Sequence, residues 1–494
     1  MAVRAPDRLG GHISRGLHLV SKAAGLVFAK FSNGERGNGN DLAVAPQSLA
    51  RPPERPLPYQ RSKALNRKLA ALRQLLRDNS ILDMPQWVSF QNTYICNLRC
   101  PHCETHGTPE RREYHNSKKR NMSDEMFGRL MAETLPTAEE FTFSLSGEPL
   151  ATPNFDSLLE QASQYGAKLD LITNGTTLSK RRLAILIPHA RRVQISVDGA
   201  TKLTFEAIRL GAKFEQVMRN VRVLTRASEL LPEPIRPRVS FSYTVMGSNI
   251  RELPILVRLA HDLGVSTVNC HFITVLYDYV KNEAGDRHKA LYNAYRRIAI
   301  KAATTLGIQL NLPPPFPGVD ACAEGPLGGE NMIVGEFPRN YYETLPSTGE
   351  FVEDANVEPD AQEIAATVMG RALQVSSPPE HEIQEVEQRW ATLRKFFHAS
   401  IAEAADNGKE MVKYCHYLHK CIYIHASGDV GPCCIVGAPT LGNANTQSVR
   451  EIWNGEAYND FRSRFYSDDP YDCCKGCTYI TYIPRSVLAG EIAA

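Results

Sequence analysis

Residues 96–103 read Cys96-Asn97-Leu98-Arg99-Cys100-Pro101-His102-Cys103 and follow the apolar run Trp87 to Tyr94. With 12 cysteines in 494 residues, three thiols at this spacing arise by chance roughly 0.007 times in such a chain. Three thiolates on one short loop can bind three irons of a cubane [4Fe–4S] cluster and leave the fourth iron open to a non-protein ligand. A zinc ion completed by His102 or His106 is the competing reading.

Outward from this loop, strand and helix patterns alternate. Apolar or alternating runs recur at Trp87 to Tyr94, Phe141 to Leu145, Leu169 to Thr173, Val193 to Val197, Val239 to Val245 and Val268 to Val275, and read as six strands. Segments of helical spacing lie between them, such as Met126, Leu130 and Met131 after Ser123, or Leu253, Leu256, Val257 and Ala260 after Asn249. Six such units predict an α/β fold, a partial (β/α)6 TIM-like barrel. In parallel barrels chemistry gathers beyond the carboxyl ends of the strands. There the sequence places Cys96, Ser146-Gly147-Glu148-Pro149, Thr173-Asn174-Gly175, Ser196-Val197-Asp198-Gly199, and Cys270 with His271.

A second thiol group occupies the C-terminal part: Cys415, Cys421, Cys433, Cys434, Cys473, Cys474 and Cys477. A strand, the turn Ser427-Gly428-Asp429 and a second strand predict a hairpin that returns Cys415 toward Cys433. Cys474 and Cys477 close the group from a distant point in sequence. Four converging thiolates suit a fully protein-ligated [4Fe–4S] cluster or zinc.

Composition bounds the rest. The formal charge of +2, from 56 basic and 54 acidic residues, gives no global attraction to nucleic acid or an anionic membrane. The apolar run Ala23 to Ala29 is far shorter than the roughly 18 residues of a bilayer span, and no secretion signal precedes it. The expected compartment is the cytoplasm, where clustered thiols point to metal or redox chemistry. Four regions follow: an extension and linker at 1–80, partly disordered or helical; the barrel at 81–318; an insertion at 319–412 that reads as a lid or substrate element; and a small hairpin-plus-helix domain at 413–494. The basic run Arg111, Arg112, Lys118, Lys119 and Arg120 reads as a solvated loop or a docking patch.

The Cys-x3-Cys-x2-Cys loop after a strand, with a ring side chain before its last cysteine, resembles the cluster loop of the radical S-adenosylmethionine (SAM) enzymes. His102 stands where Tyr or Phe is commoner. Ser146-Gly147-Glu148-Pro149 resembles that family's Gly-Gly-Glu-Pro motif. The C-terminal order of Cys, hairpin, paired Cys, Leu441-Gly442-Asn443, Glu451-Ile452-Trp453 and Cys-x2-Cys is similar to the auxiliary-cluster domain called SPASM, or its single-cluster twitch form. The resemblance covers about residues 86 to 315 and 413 to 482.

The resemblance implies Cys96, Cys100 and Cys103 as ligands of a [4Fe–4S] cluster whose open iron binds SAM. It places His102 near the adenine, the Ser146, Gly147, Glu148 and Pro149 segment at the SAM amino group, and Asn174, Ser196 and Asp198 at the ribose. Cys415, Cys433, Cys474 and Cys477 would hold one auxiliary [4Fe–4S] cluster, with Cys421 competing with Cys415 and Cys434 with Cys433. The implied activity is an oxidoreductase that makes a 5′-deoxyadenosyl radical for hydrogen abstraction, fed by a flavodoxin- or ferredoxin-like donor. The leading expectation is dehydrogenation or epimerisation of a sugar, polyol or other small natural-product intermediate. A maturase of a precursor peptide or protein is the alternative, and a non-catalytic metal-binding scaffold is a third reading. Cys270 and Cys322 are candidate catalytic hydrogen donors, with buried inert thiols as the plainer reading.

Overall fold

The structure, a computed structural model, describes residues 58–116, 121–143, 146–319, 354–371, 380–406, 410–435, 437–477 and 479–493. The extension before residue 58 and Cys322 lie outside them. All six expected strands form: β1 (Trp87–Phe90), β2 (Glu140–Phe143), β3 (Lys168–Thr173), β4 (Ala190–Ser196), β5 (Arg238–Val245) and β6 (Thr267–Phe272). They pair in parallel in chain order, and a short β7 (Gln309–Asn311) extends the far edge beside β6.

The two faces of this sheet differ because side chains alternate along each strand. Phe90, Phe143 and Phe272 point to the helix layer, where they meet Phe127, Phe155 and Tyr292 at ring distances of 5.0, 5.4 and 4.7 Å. The opposite face is polar: Ser89, Thr142, Gln194 and Ser240 lie on it, and all four are buried. They are buried because the sheet curls around them. Arg192 of β4 is close enough to Tyr417, just before the Cys421–Ile424 strand, for its charge to act on the phenol, although three strands separate β4 from that strand in the sheet. Asp170 accepts two bonds from Arg192 at 2.8 and 2.6 Å across this interior.

The expected C-terminal hairpin is present and continues the barrel sheet. After β8 (Met411–Cys415), the hairpin of β9 (Cys421–Ile424) and β10 (Asp429–Gly431) joins the barrel sheet, with β9 parallel to β1 and Cys421 opposite Trp87. β11 (Gly442–Asn443) adds one more strand, and β12 (Ile480–Pro484) pairs only with β8. The hairpin residues Ile422 and Ile424 and the later Trp453 belong to the same hydrophobic core as the barrel. The physical reason is the exposed edge of β1, which needs a partner for its backbone groups.

The described parts of the 319–412 insertion pack on the outside of the barrel. The Val357–Gly370 helix buries Ala361, Ile364 and Ala365, and Asp354 and Asp360 hold Arg219 of an outer barrel helix at 2.6 and 2.7 Å. The Glu380–Phe396 and His398–Asp406 helices share a second core with the Pro58–Leu76 and Arg485–Ala493 helices, through Leu393, Phe397, Leu72 and Leu488. No described helix is long and apolar enough to cross a membrane.

Candidate functional site

The loop bearing Cys96, Cys100 and Cys103 is tied down at both ends. Asn116 Oδ1 accepts the Cys96 backbone N–H and the His106 Nε2–H, each at 3.2 Å. His106 is buried, and its Nδ1 lies 4.0 Å from the Cys103 sulfur. Two stacked tyrosines from the loop after β6 clamp the backbone. Tyr277 donates to the carbonyls of Cys103 (3.2 Å) and Glu104 (2.8 Å), and Tyr279 to those of Pro101 (2.8 Å) and Gly107 (3.1 Å). The fit leaves no room at Gly107, where a Cβ would stand 2.6 Å from Cys103 O and 2.8 Å from the Tyr277 ring.

The segment after β2 meets this loop directly. Glu148 N–H donates to Ile95 O at 2.8 Å, and a Cβ on Gly147 would lie 2.7 Å from Thr93 O. Glu148 is buried and accepts from Thr173 Oγ1 (2.6 Å), Asn174 N (2.7 Å) and Leu150 N (3.2 Å). Burial pushes its carboxyl up, and these three bonds offset only part of that. Its geometry is that of a staple between the ends of β2 and β3. Asn174 in turn joins β3 to the cysteine loop, donating to Asn97 Oδ1 at 2.9 Å while its own Oδ1 accepts from Thr176.

At the end of β4, Asp198 is fully buried. Its Oδ1 accepts the Thr244 N–H at 2.8 Å, and its Oδ2 sits 2.6 Å from Arg209 Nη2 and 3.5 Å from His102 Nε2. Burial alone would raise this carboxyl; the Arg209 and His102 charges outweigh it and hold it below the usual carboxylate value. Burial also lowers the His102 pKa. His102 thus turns its ring toward a carboxylate, and Ser196 lies one pleat below on the same polar face. Asn249 donates to the carbonyls of Asp198 and Thr244, closing the β4 and β5 ends together.

Four residues of this site have no signature in the sequence. Arg209 is a lone arginine at a helix end, Tyr277 and Tyr279 sit in a long loop, and Asn97 is an unremarked position between two cysteines. Only tertiary contact reveals them. Burial pushes the Cys96 thiol up to about 12 and the Cys100 thiol up to about 11, so their thiolates need a cation beyond the nearby Arg209.

Cys270 lies on the other face of its strand from His271. It shares the face of β6 with Val268 and Phe272, pairs with buried Tyr243, and packs against the core under the Lys289–Leu306 helix. Burial raises its pKa strongly. The strand's period of two puts its neighbour His271 on the polar face instead, 3.3 Å from Thr244 Oγ1. Cys270 is half-buried on the helix-facing side of β6.

The second thiol group surrounds one apolar cavity, lined by Cys415, Cys433, Cys473, Cys474 and Cys477 with Leu418, Ile435, Phe461, Phe465 and Ile480. Cys421 is buried on β9 and Cys434 is exposed, and neither lines it. Burial pushes the Cys433 and Cys474 thiols up to about 12. Among the described residues no three His, Cys, Asp or Glu side chains close on a single-ion site. The donor chemistry of both groups, several thiols gathered in one place, fits iron–sulfur clusters, in which each thiolate takes its own iron.

Comparison with known proteins agrees with this geometry. Residues 92–247 match the Radical SAM superfamily, and residues 415–478 match the iron–sulfur cluster-binding domain SPASM. The chain is a radical SAM enzyme. Its radical SAM domain binds a [4Fe–4S] cluster and SAM, and its SPASM domain is an auxiliary iron–sulfur domain. Among relatives, the AdoMet-dependent heme synthase of Methanosarcina barkeri is 24% identical over 294 residues, 54% of this chain and 80% of that protein. The mycofactocin maturase MftC of Mycobacterium tuberculosis is 27% identical over 190 residues, 37% of this chain and 44% of its own. The subtilosin biosynthesis protein AlbA of Bacillus subtilis, named for an antilisterial bacteriocin, is 26% identical over 195 residues, 38% of this chain and 40% of its own. The match thus spans less than half the length of MftC and AlbA.

Proposed function

We propose that this radical SAM enzyme is a maturase that oxidises or crosslinks a precursor peptide or protein. The observation that carries the proposal is the placement of the two thiol groups at opposite ends of one strand pair. Cys96 follows the carboxyl end of β1, while Cys421 opposes Trp87 at its start, and Cys415 and Cys433 flank the same end of the β9–β10 hairpin. The paired strands span only about 10 Å over four residues. Between the two groups runs the buried polar inner face of the sheet, with Ser89, Thr142, Gln194 and Ser240. A maturase and a bacteriocin biosynthesis protein among the relatives favour the peptide reading over a sugar or polyol, which none of the three relatives described above names.

In this proposal Cys96, Cys100 and Cys103 hold the SAM-binding cluster. Cys415, Cys433, Cys474 and Cys477 hold one auxiliary [4Fe–4S] cluster, with Cys473 as a spare thiol at the same cavity. The SAM-bound cluster supplies one-electron cleavage and hydrogen abstraction. The protein's own share is positional. Glu148, Asn174 and Gly147 fix the loop ends that would face the SAM amino group and ribose, Asp198 and Arg209 set a buried charge pair beside the thiols, and the curled sheet keeps water from the reacting carbon. Exposed Arg111 and half-buried Arg112, beside the first loop, offer an acidic electron donor a basic face.

The test is anaerobic. Protein reconstituted with iron and sulfide, reduced and given SAM, is incubated with candidate precursor peptides and, separately, with sugars and polyols. The expected result is 5′-deoxyadenosine formation that depends on a peptide, which loses two hydrogens. Stimulation by a sugar or polyol alone would overturn the proposal.

A further inference from the structure

Behind the auxiliary cavity lies a second enclosure of different chemistry. Arg73, Gln74, Arg77 and Asn79, at the end of the Pro58–Leu76 helix and just after it, face His419, Arg462, Ser463 and Tyr466 across a cavity of about 210 Å³. Three guanidinium groups line it. Asp83 is the carboxylate that answers them, 2.9 Å from Arg73 Nη2, and it also accepts from Trp453 Nε1 at 3.0 Å. Three positive charges against one negative leave two in excess.

The donors are only partly used. Arg462 is 2% exposed. Its Nη1 donates to Trp453 O at 2.7 Å and Asn459 Oδ1 at 3.2 Å, and its plane rests 4.3 Å from the Trp453 ring. Its Nε and Nη2, together with Nε of Arg73, have no hydrogen-bond partner among the described residues. Buried guanidinium N–H groups left unpaired are costly and uncommon. Burial and the neighbouring Arg73 lower the Arg462 pKa to about 9, a mark of uncompensated positive potential. The backbone adds its own sign: Arg77 has φ of 51°, the one non-glycine residue with positive φ among the described residues. That left-handed turn lays its guanidinium over the Tyr466 ring, 4.5 Å away, at the rim of the cavity.

We propose that this cavity is a site for a dianionic tetrahedral oxyanion, a phosphate group held by the unpaired Arg462 and Arg73 donors and covered by Arg77. Guanidinium forks match such oxygens in charge and spacing. A cavity of about 210 Å³ has room for phosphate or a small phosphomonoester. Bound there, the anion ties the Pro58–Leu76 helix to the Glu456–Phe465 helix and to the His416–Lys420 turn that follows Cys415.

The test uses the full chain and does not depend on turnover. Potassium phosphate, sn-glycerol phosphate and potassium chloride are titrated at constant ionic strength and followed by calorimetry and thermal unfolding. Saturable one-to-one binding of phosphate or glycerol phosphate, with a rise in Tm that chloride does not give, is expected, and the tighter of the two names the source. Exposed Arg77→Ala should weaken binding about tenfold or more, with Arg77→Lys between it and the wild type. Arg462→Met should abolish binding, and if it does not fold the Arg77 pair decides. No saturable heat, an equal response to chloride, or unchanged affinity in Arg77→Ala would each overturn the proposal.

Discussion

The loop at residues 96–107 and the cavity at residues 415–477 both gather thiols, yet they are built on different scales. The first is local: three cysteines within eight residues, closed by Asn116 and clamped by Tyr277 and Tyr279. The second is assembled from three separate stretches, Cys415, Cys433 and Cys473 to Cys477, brought together by the β8–β12 and β9–β10 pairings. A local loop can be read from spacing and fails by local crowding. An assembled cavity depends on the whole sheet and fails when any stretch lets go.

The sharpest way to break the comparison is to remove one thiol from each site. Cys96→Ser is expected to reduce SAM cleavage by on the order of a hundredfold or more while the second site keeps its iron and its spectrum. Cys477→Ser should leave SAM cleavage measurable and lose the oxidised product instead. Equal losses of both clusters in either variant, by iron content and electron paramagnetic resonance, would show that the two sites are not independent.

A smaller perturbation tests the local character of the first loop. In Gly107→Ala the new methyl would press on Cys103 O, Pro101 O and the Tyr277 ring, and overpacking of this kind typically costs about 1–3 kcal/mol. Urea unfolding should show that loss, and iron should fall in the first site only. The mildest change is Tyr277→Phe, which removes two bonds to the loop carbonyls but leaves Tyr279 in place. It should cost about 1 kcal/mol, again with the second site untouched. A larger loss in Tyr277→Phe than in Gly107→Ala would mean that the tyrosine clamp, not close packing, holds the loop.

The same contrast explains what could be read early. The six barrel strands were legible because period-two alternation and the spacing of buried residues such as Phe141, Val193 and Phe241 are written along the chain. Glu148 and Asn174 were legible as a motif, but their partnership was not, since the Thr173 and Asn174 contacts to Glu148 arise only when β2 and β3 lie side by side. The face that Cys270 takes was not legible, because its position next to His271 says nothing of that until the register with β5 is known.

By itself, then, the sequence determined which chemical groups this protein possesses and the repeating pattern that arranges its strands. The tertiary structure decided which groups meet: that β9 completes the edge of β1, that Asp198 faces Arg209, and that three arginines enclose a cavity with donors to spare. The reason is physical. Periodicity and spacing act over a few residues, whereas pairing, burial and ion contact depend on distances that only the closed fold defines.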